Sequence, residues 1–105
     1  MHFTIQNNSK QKIDVLMRSL RYHYWGVSAK DGKWQFVRTL ESGGAYPRFH
    51  IYLKYDAKTK EIAIDLHFDQ RKPVYQGTVA HRAEYENSEV LDKEAQRIKN
   101  EIKKA

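Results

Sequence analysis

Ile13, Leu16, Met17 and Leu20 recur at i, i+3, i+4 and i+7, a single apolar stripe of a helix. Asn8, followed three residues later by Gln11, resembles a capping box and predicts that this helix begins near residue 8. His2 to Gln6 reads as a short strand or a frayed end. Beyond the helix the periodicity changes. Tyr22 to Ser28 is aromatic and strand-like, Asp31-Gly32 marks a tight turn, and Lys33 to Leu40 is a second strand candidate. After the flexible stretch Ser42-Gly43-Gly44-Ala45 and Pro47, the chain alternates strictly. Phe49, Ile51, Leu53 and Tyr55 fall on one face, and Arg48, His50, Tyr52 and Lys54 on the other. Past Asp56-Ala57-Lys58-Thr59 the alternation resumes, with Ile62, Ile64, Leu66 and Phe68 set against Glu61, Ala63, Asp65, His67 and Asp69. Two period-2 segments about a short turn predict an antiparallel hairpin.

Residues 70–87 read as a long polar connection interrupted by Pro73 and Gly77. Asn87 or Ser88 then caps a last helix whose stripe is Leu91, Ala95, Ile98 and Ile102, with Lys103 and Lys104 at its C-terminal end. The expected architecture is a single α+β domain over residues 1–105. Its antiparallel sheet has three or four strands, with two helices on one face in the order α-β-β-β(-β)-α.

Pairing in the hairpin gathers chemistry. Matching the apolar faces leaves two registers. One sets His50 opposite His67 and Arg48 opposite Asp69; the other sets His50 opposite Asp65 and Arg48 opposite His67. In both, Arg48, His50, Tyr52, Asp65, His67 and Asp69 share the polar face. A histidine beside a carboxylate suits general acid–base work near neutral pH, so His50, His67 and Asp69 are the candidate catalytic residues. The competing reading is a plain solvated sheet face. His67, Asp69 and His81 also form a weak set of divalent-metal ligands, and no metal or other cofactor is assigned.

Charge changes the picture further. The chain carries a formal net charge of +6, with nine Lys/Arg against three acids in residues 1–55 and ten of each in residues 56–105. A one-sided cationic excess points to a polyanion partner. Lys10, Lys12, Arg18, Arg21 and Arg48 are the candidate phosphate contacts, with Tyr46 contacting a base or sugar. Tyr22, His23, Tyr24, Trp25 and Trp34 offer stacking surfaces for single strands or, on the ordinary reading, packing surface for the core. The 105 residues contain no cysteine, which excludes disulfides, thiolate metal sites and a cysteine nucleophile. The N-terminal residues lack the apolar run of a signal peptide, and no apolar run approaches a membrane span, so the expectation is a cytoplasmic protein without a membrane partner. Neither a P-loop nor GxGxxG occurs.

The helix Asp14-Val15-Leu16-Met17-Arg18-Ser19-Leu20 and the histidine strand Arg48-Phe49-His50-Ile51-Tyr52, on a basic chain, resemble the double-stranded-RNA-binding-domain-like fold. They are similar in particular to HicA-type mRNA interferase toxins. The run from Pro47 to Ile98 also looks like small bacterial proteins of unknown function. The toxin resemblance implies an RNA partner and carries over His50 alone as the catalytic position. The expected function is a small nucleic-acid-binding domain, with RNA favoured over DNA. The alternatives are a small ribonuclease or phosphodiesterase-type hydrolase using His50 and His67, and a protein–protein interaction module. The sequence leaves the oligomeric state open.

Overall fold

The computed structural model describes residues 1–40, 44–70 and 79–105, and for residues 79–87 the backbone alone. Seven elements follow one another: β1 (His2–Gln6), α1 (Ile13–Ser19), β2 (His23–Val27), β3 (Trp34–Thr39), β4 (Arg48–Asp56), β5 (Glu61–Asp69) and α2 (Val79–Lys104). The strands form one antiparallel sheet in the order β1-β5-β4-β3-β2. The α+β class is as expected, but the sheet has five strands rather than three or four. The fifth strand is β1. Phe3 and Ile5 alternate with His2, Thr4 and Gln6, and the long β5 supplies the partner that so short a segment needs, pairing Phe3 with Ile64 and Ile5 with Ile62.

Apolar side chains from both helices and from one sheet face build the core. Ile13, Leu16, Met17 and Leu20 come from α1 and its C-cap, Ala95, Ile98 and Ile102 from α2, and Phe36, Phe49, Ile51, Leu53, Ile62, Ile64 and Leu66 from the sheet. Both helices therefore lie on one side, and the opposite sheet face is left without a helix among the described residues.

Three local expectations are corrected. The first helix begins at Ile13, and Lys12, not Asn8, precedes it without a side-chain cap. Asn7 is the reason. Its buried amide oxygen accepts bonds from the Ser9 backbone and hydroxyl at 3.1 and 2.7 Å, and its Nδ2 donates to the Gln11 carbonyl at 3.2 Å. Such a self-satisfied turn competes with helix. The last helix begins at Val79, eight residues or more before the expected caps. Between Gly77 and Asn87 the chain has no proline or glycine and two alanines, so nothing there breaks a helix. The other part of the expected connection, residues 71–78, lies outside the described residues.

A third departure shapes the site. In β2, Tyr24 pairs with Phe36 and Gly26 with Gln35, so Trp25 and Gly26 together oppose one residue of β3. This bulge, with Gly26 at φ 100°, turns Trp25 onto the helix-free face while Tyr24 stays on the helix side.

A buried charge cluster ties the layers together. Glu94, 4% exposed, sits on the inner stripe of α2. It accepts from the Tyr22 hydroxyl at 2.7 Å, from Arg38 of β3 at 3.0 and 3.2 Å, and from Arg97 at 2.7 and 2.9 Å. Arg97 also donates to the Leu20 carbonyl at the end of α1, at 2.8 Å. Burial pushes the Glu94 carboxyl up, but the bonds from Arg97, Tyr22 and Arg38 outweigh it and hold the group below its ordinary value. Burial, with Glu94 adding to it, pushes the Tyr22 phenol far up. Tyr22 is thus a core residue and not part of a stacking surface.

Candidate functional site

The sheet has two candidate faces, and the expected site residues are divided between them. On the helix-free face, β4 and β5 adopt the register with His50 opposite His67 and Arg48 opposite Asp69. The four-residue turn between Asp56 and Glu61 sets it, with Asp56 Oδ1 accepting from Lys58 N at 2.9 Å and Lys60 at φ 62°. Cross-strand pairing extends the rows across the sheet. His67, His50, Val37 and His23 form one row, and His2, Asp65, Tyr52 and Gln35 another. Four of the five histidines therefore share this face. His2 was not singled out from sequence, and His23 only as part of a stacking surface. Their place follows from strand parity, which requires knowing that β1 belongs to the sheet and where β2 bulges.

His50 is buried, at 7% exposure. Its Nδ1 lies 3.3 Å from Asp69 Oδ2, and its Nε2 lies 3.0 Å from the Gln35 side-chain amide. Trp25 meets the ring edge-on at 5.5 Å, and Tyr52 stacks on it at 4.5 Å. Burial pulls the imidazole pKa below its ordinary 6.5, partly offset by Asp69, so the ring is neutral at pH 7. Both nitrogens are engaged in this conformation. Asp69 is shared with Arg48, whose Nε lies 3.1 Å away. The Arg48 guanidinium is also sandwiched between the Trp25 and Tyr46 rings at 4.5 and 4.4 Å. It is a paired and stacked group.

His67 is in a different position. It is exposed, and its Nε2 lies 3.1 Å from Asp65 Oδ2, not from Asp69. The pair opens on a cleft of about 400 Å³ lined also by Tyr52, Ser28, Lys30 and Asp31. Hence His50, His67 and Asp69 share a face but form two dyads, His50–Asp69 buried and His67–Asp65 accessible, with Tyr52 between them. Among the described residues no group of three or more metal-ligating side chains occurs, and the His81 side chain lies outside them.

On the helix side, α1 is only seven residues long and does not reach across β2 and β3. Tyr24 and Trp34 remain 56% and 41% exposed there. A cleft of about 480 Å³ lies between the chain leading into α1 and Trp34, Tyr55 and Lys60, and an adjoining one of about 390 Å³ between α1 and Tyr24, Trp34 and Phe36. Trp34 and Asp14 line both, so they form one groove. Lys10, Lys12 and Lys60 border the first cleft and Arg18 the second, against the single acid Asp14. Arg21 lies exposed just past the helix end. Its φ of 74° makes it the left-handed residue of a Schellman turn, with Tyr22 N bonded to Met17 O and Arg21 N to Arg18 O at 2.9 Å each. The expected phosphate contacts Lys10, Lys12 and Arg18 therefore gather beside exposed aromatic rings, while Tyr46 and Arg48 lie apart from them beside Trp25. Ser42 and Gly43 of the stretch before Pro47 lie outside the described residues.

No family model, curated protein or solved structure matches the chain. Among the described residues no helix is long and apolar enough to cross a membrane.

Proposed function

We propose that this chain is a small nucleic-acid-binding domain, with RNA favoured over DNA, and that the groove between α1 and β2–β3 is its interface. One observation carries the reading: four cationic side chains surround a groove whose walls include the partly exposed rings of Trp34 and Tyr24. Cations that track a backbone, together with aromatic faces that stack bases, are the two components of single-strand binding. The helix-free face has aromatics as well, but there Arg48 is paired with Asp69, and Asp65 and Asp69 share the face with Lys54. The reading predicts a steep salt dependence. Four phosphate contacts to a single strand give a slope of about −3 in log affinity against log salt. Replacing Lys10 and Lys12 with alanine reduces that slope by about 1 to 1.5. Fluorescence anisotropy of labelled RNA across a salt series measures it. Affinity independent of salt, or no binding to RNA or DNA, rules the reading out.

A second reading, a ribonuclease or phosphodiesterase-type hydrolase, is favoured by one specific feature: the accessible His67–Asp65 pair in a cleft that also holds Lys30 and Tyr52. His67 would act as general base or acid, Asp65 would orient it, and Lys30 would meet negative charge on the phosphoryl oxygens. The likeness to mRNA interferases belongs to this reading, although His50, the position it carries over, is the enclosed histidine here. RNA cleavage by wild type, His50→Ala and His67→Ala tests it. Loss on His67→Ala supports the accessible dyad, and equal activity in all three excludes this chemistry.

A further inference from the structure

The groove contains one residue that a simple phosphate-binding surface does not need. Asp14 stands with Trp34 where the two clefts meet, in the midst of Lys10, Lys12 and Arg18. Its side chain is exposed, and among the described residues it takes part in no ion pair. A carboxylate beside cations lowers the attraction for phosphate, so an unpaired acid at this point works against purely electrostatic binding. It does suit a base edge. Carboxylates are acceptor-only, with two oxygens able to take two parallel donors. Of the four RNA bases, guanine alone presents two adjacent donors on its Watson–Crick edge, N1–H and the N2 amino group. Adenine and cytosine each set one amino group beside a ring acceptor that a carboxylate repels. Uracil has one N–H between two carbonyl oxygens.

Resting on the nucleic-acid reading above, we propose that the groove is a guanine subsite for single-stranded RNA. The base stacks on the Trp34 indole, the Asp14 carboxylate accepts from N1–H and N2–H, and Lys10, Lys12 and Arg18 pair with the flanking phosphates. The arrangement divides the labour: the cations supply affinity for any strand, and Asp14 supplies the choice of base. A double helix is a poor occupant, because its Watson–Crick edges are already used.

The test is fluorescence anisotropy with labelled RNA octamers of alternating U and G, of alternating U and A, and of U alone, on wild type and Asp14→Asn. A carboxylate matched to two base donors discriminates by about tenfold or more. The expected result is that wild type binds the U–G octamer at least about tenfold tighter than the other two. Asp14→Asn, an exposed substitution whose folding circular dichroism checks, offers one donor beside one acceptor and so loses the preference for the U–G octamer. Equal binding of the three octamers by wild type, or a guanine preference that survives Asp14→Asn, overturns the subsite and leaves the nucleic-acid reading standing. Failure of wild type to bind any octamer at low salt overturns both.

Discussion

Replacing Glu94 with alanine is the severest single test of how this domain holds its layers together. The carboxylate accepts five hydrogen bonds, one from Tyr22, two from Arg38 and two from Arg97. Its side chain is 3% exposed, whereas those of Arg38 and Arg97 are 23% and 34% exposed. Removing the acid leaves two guanidinium groups and a buried phenol without their acceptor. Breaking a buried ion pair from one side costs about 3–5 kcal/mol, and the partial hydration of both arginines argues for the lower end, about 3 kcal/mol. For a domain of this size that is a large share of a total of about 5–15 kcal/mol, and it lowers Tm by about 12–24 °C. Urea unfolding followed by tryptophan fluorescence measures it. Tyr22→Phe removes one of the five bonds and costs about 1.5–3 kcal/mol at most. The pH dependence gives an independent check. Because the native Glu94 pKa lies below its ordinary 4.5, its stabilisation is complete above that value and is lost as pH falls through the lower native one. Glu94→Gln removes this part of the acid limb. A loss below about 1 kcal/mol for Glu94→Ala would refute the claim that the cluster fastens α2 to β3 and to the end of α1.

Three further outcomes follow from particular residues. His50 has a native pKa below 6.5, so the unfolded chain takes up its proton first; stability falls as pH drops below about 6.5, and in His50→Gln that slope disappears in a pH series of urea melts. Gly26→Ala meets no atom within 4 Å but must hold φ near 100°, so it costs about 1–3 kcal/mol and releases Trp25, seen as a shift in tryptophan emission. Arg21→Gly relieves a left-handed residue, so thermal unfolding shows stability held or raised by up to about 1 kcal/mol.

Strict alternation in residues 48–55 and 61–69 made the central hairpin legible, along with the identity of its polar face. The register was not, because the choice between two alignments lies in a left-handed Lys60, a backbone state that lysine does not advertise. The stripe of α1 was readable, but its start was displaced by Asn7, whose side chain satisfies the loop instead of capping the helix. Glu94 falls beside Leu91, Ala95 and Ile98 on the apolar stripe of α2 with Arg97 three residues on. That pattern signals a buried acid only once Arg38 and Tyr22 are known to be opposite it. The separation of Tyr24 from Trp25 depends on a bulge at Gly26, and the pairing of His67 with Asp65 rather than Asp69 depends on side-chain geometry within one strand. The groove arises because a helix is too short for the sheet under it, a fact about lengths in three dimensions.

The two tryptophans lie on opposite faces of the sheet, Trp34 in the basic groove and Trp25 over His50. Their indole N–H resonances in ¹⁵N-labelled protein, followed while single-stranded RNA is added, therefore report directly which surface takes the strand. The account predicts that the Trp34 resonance shifts progressively and saturates while that of Trp25 stays in place. A shift of Trp25 alone, or of neither at RNA excess, would contradict it.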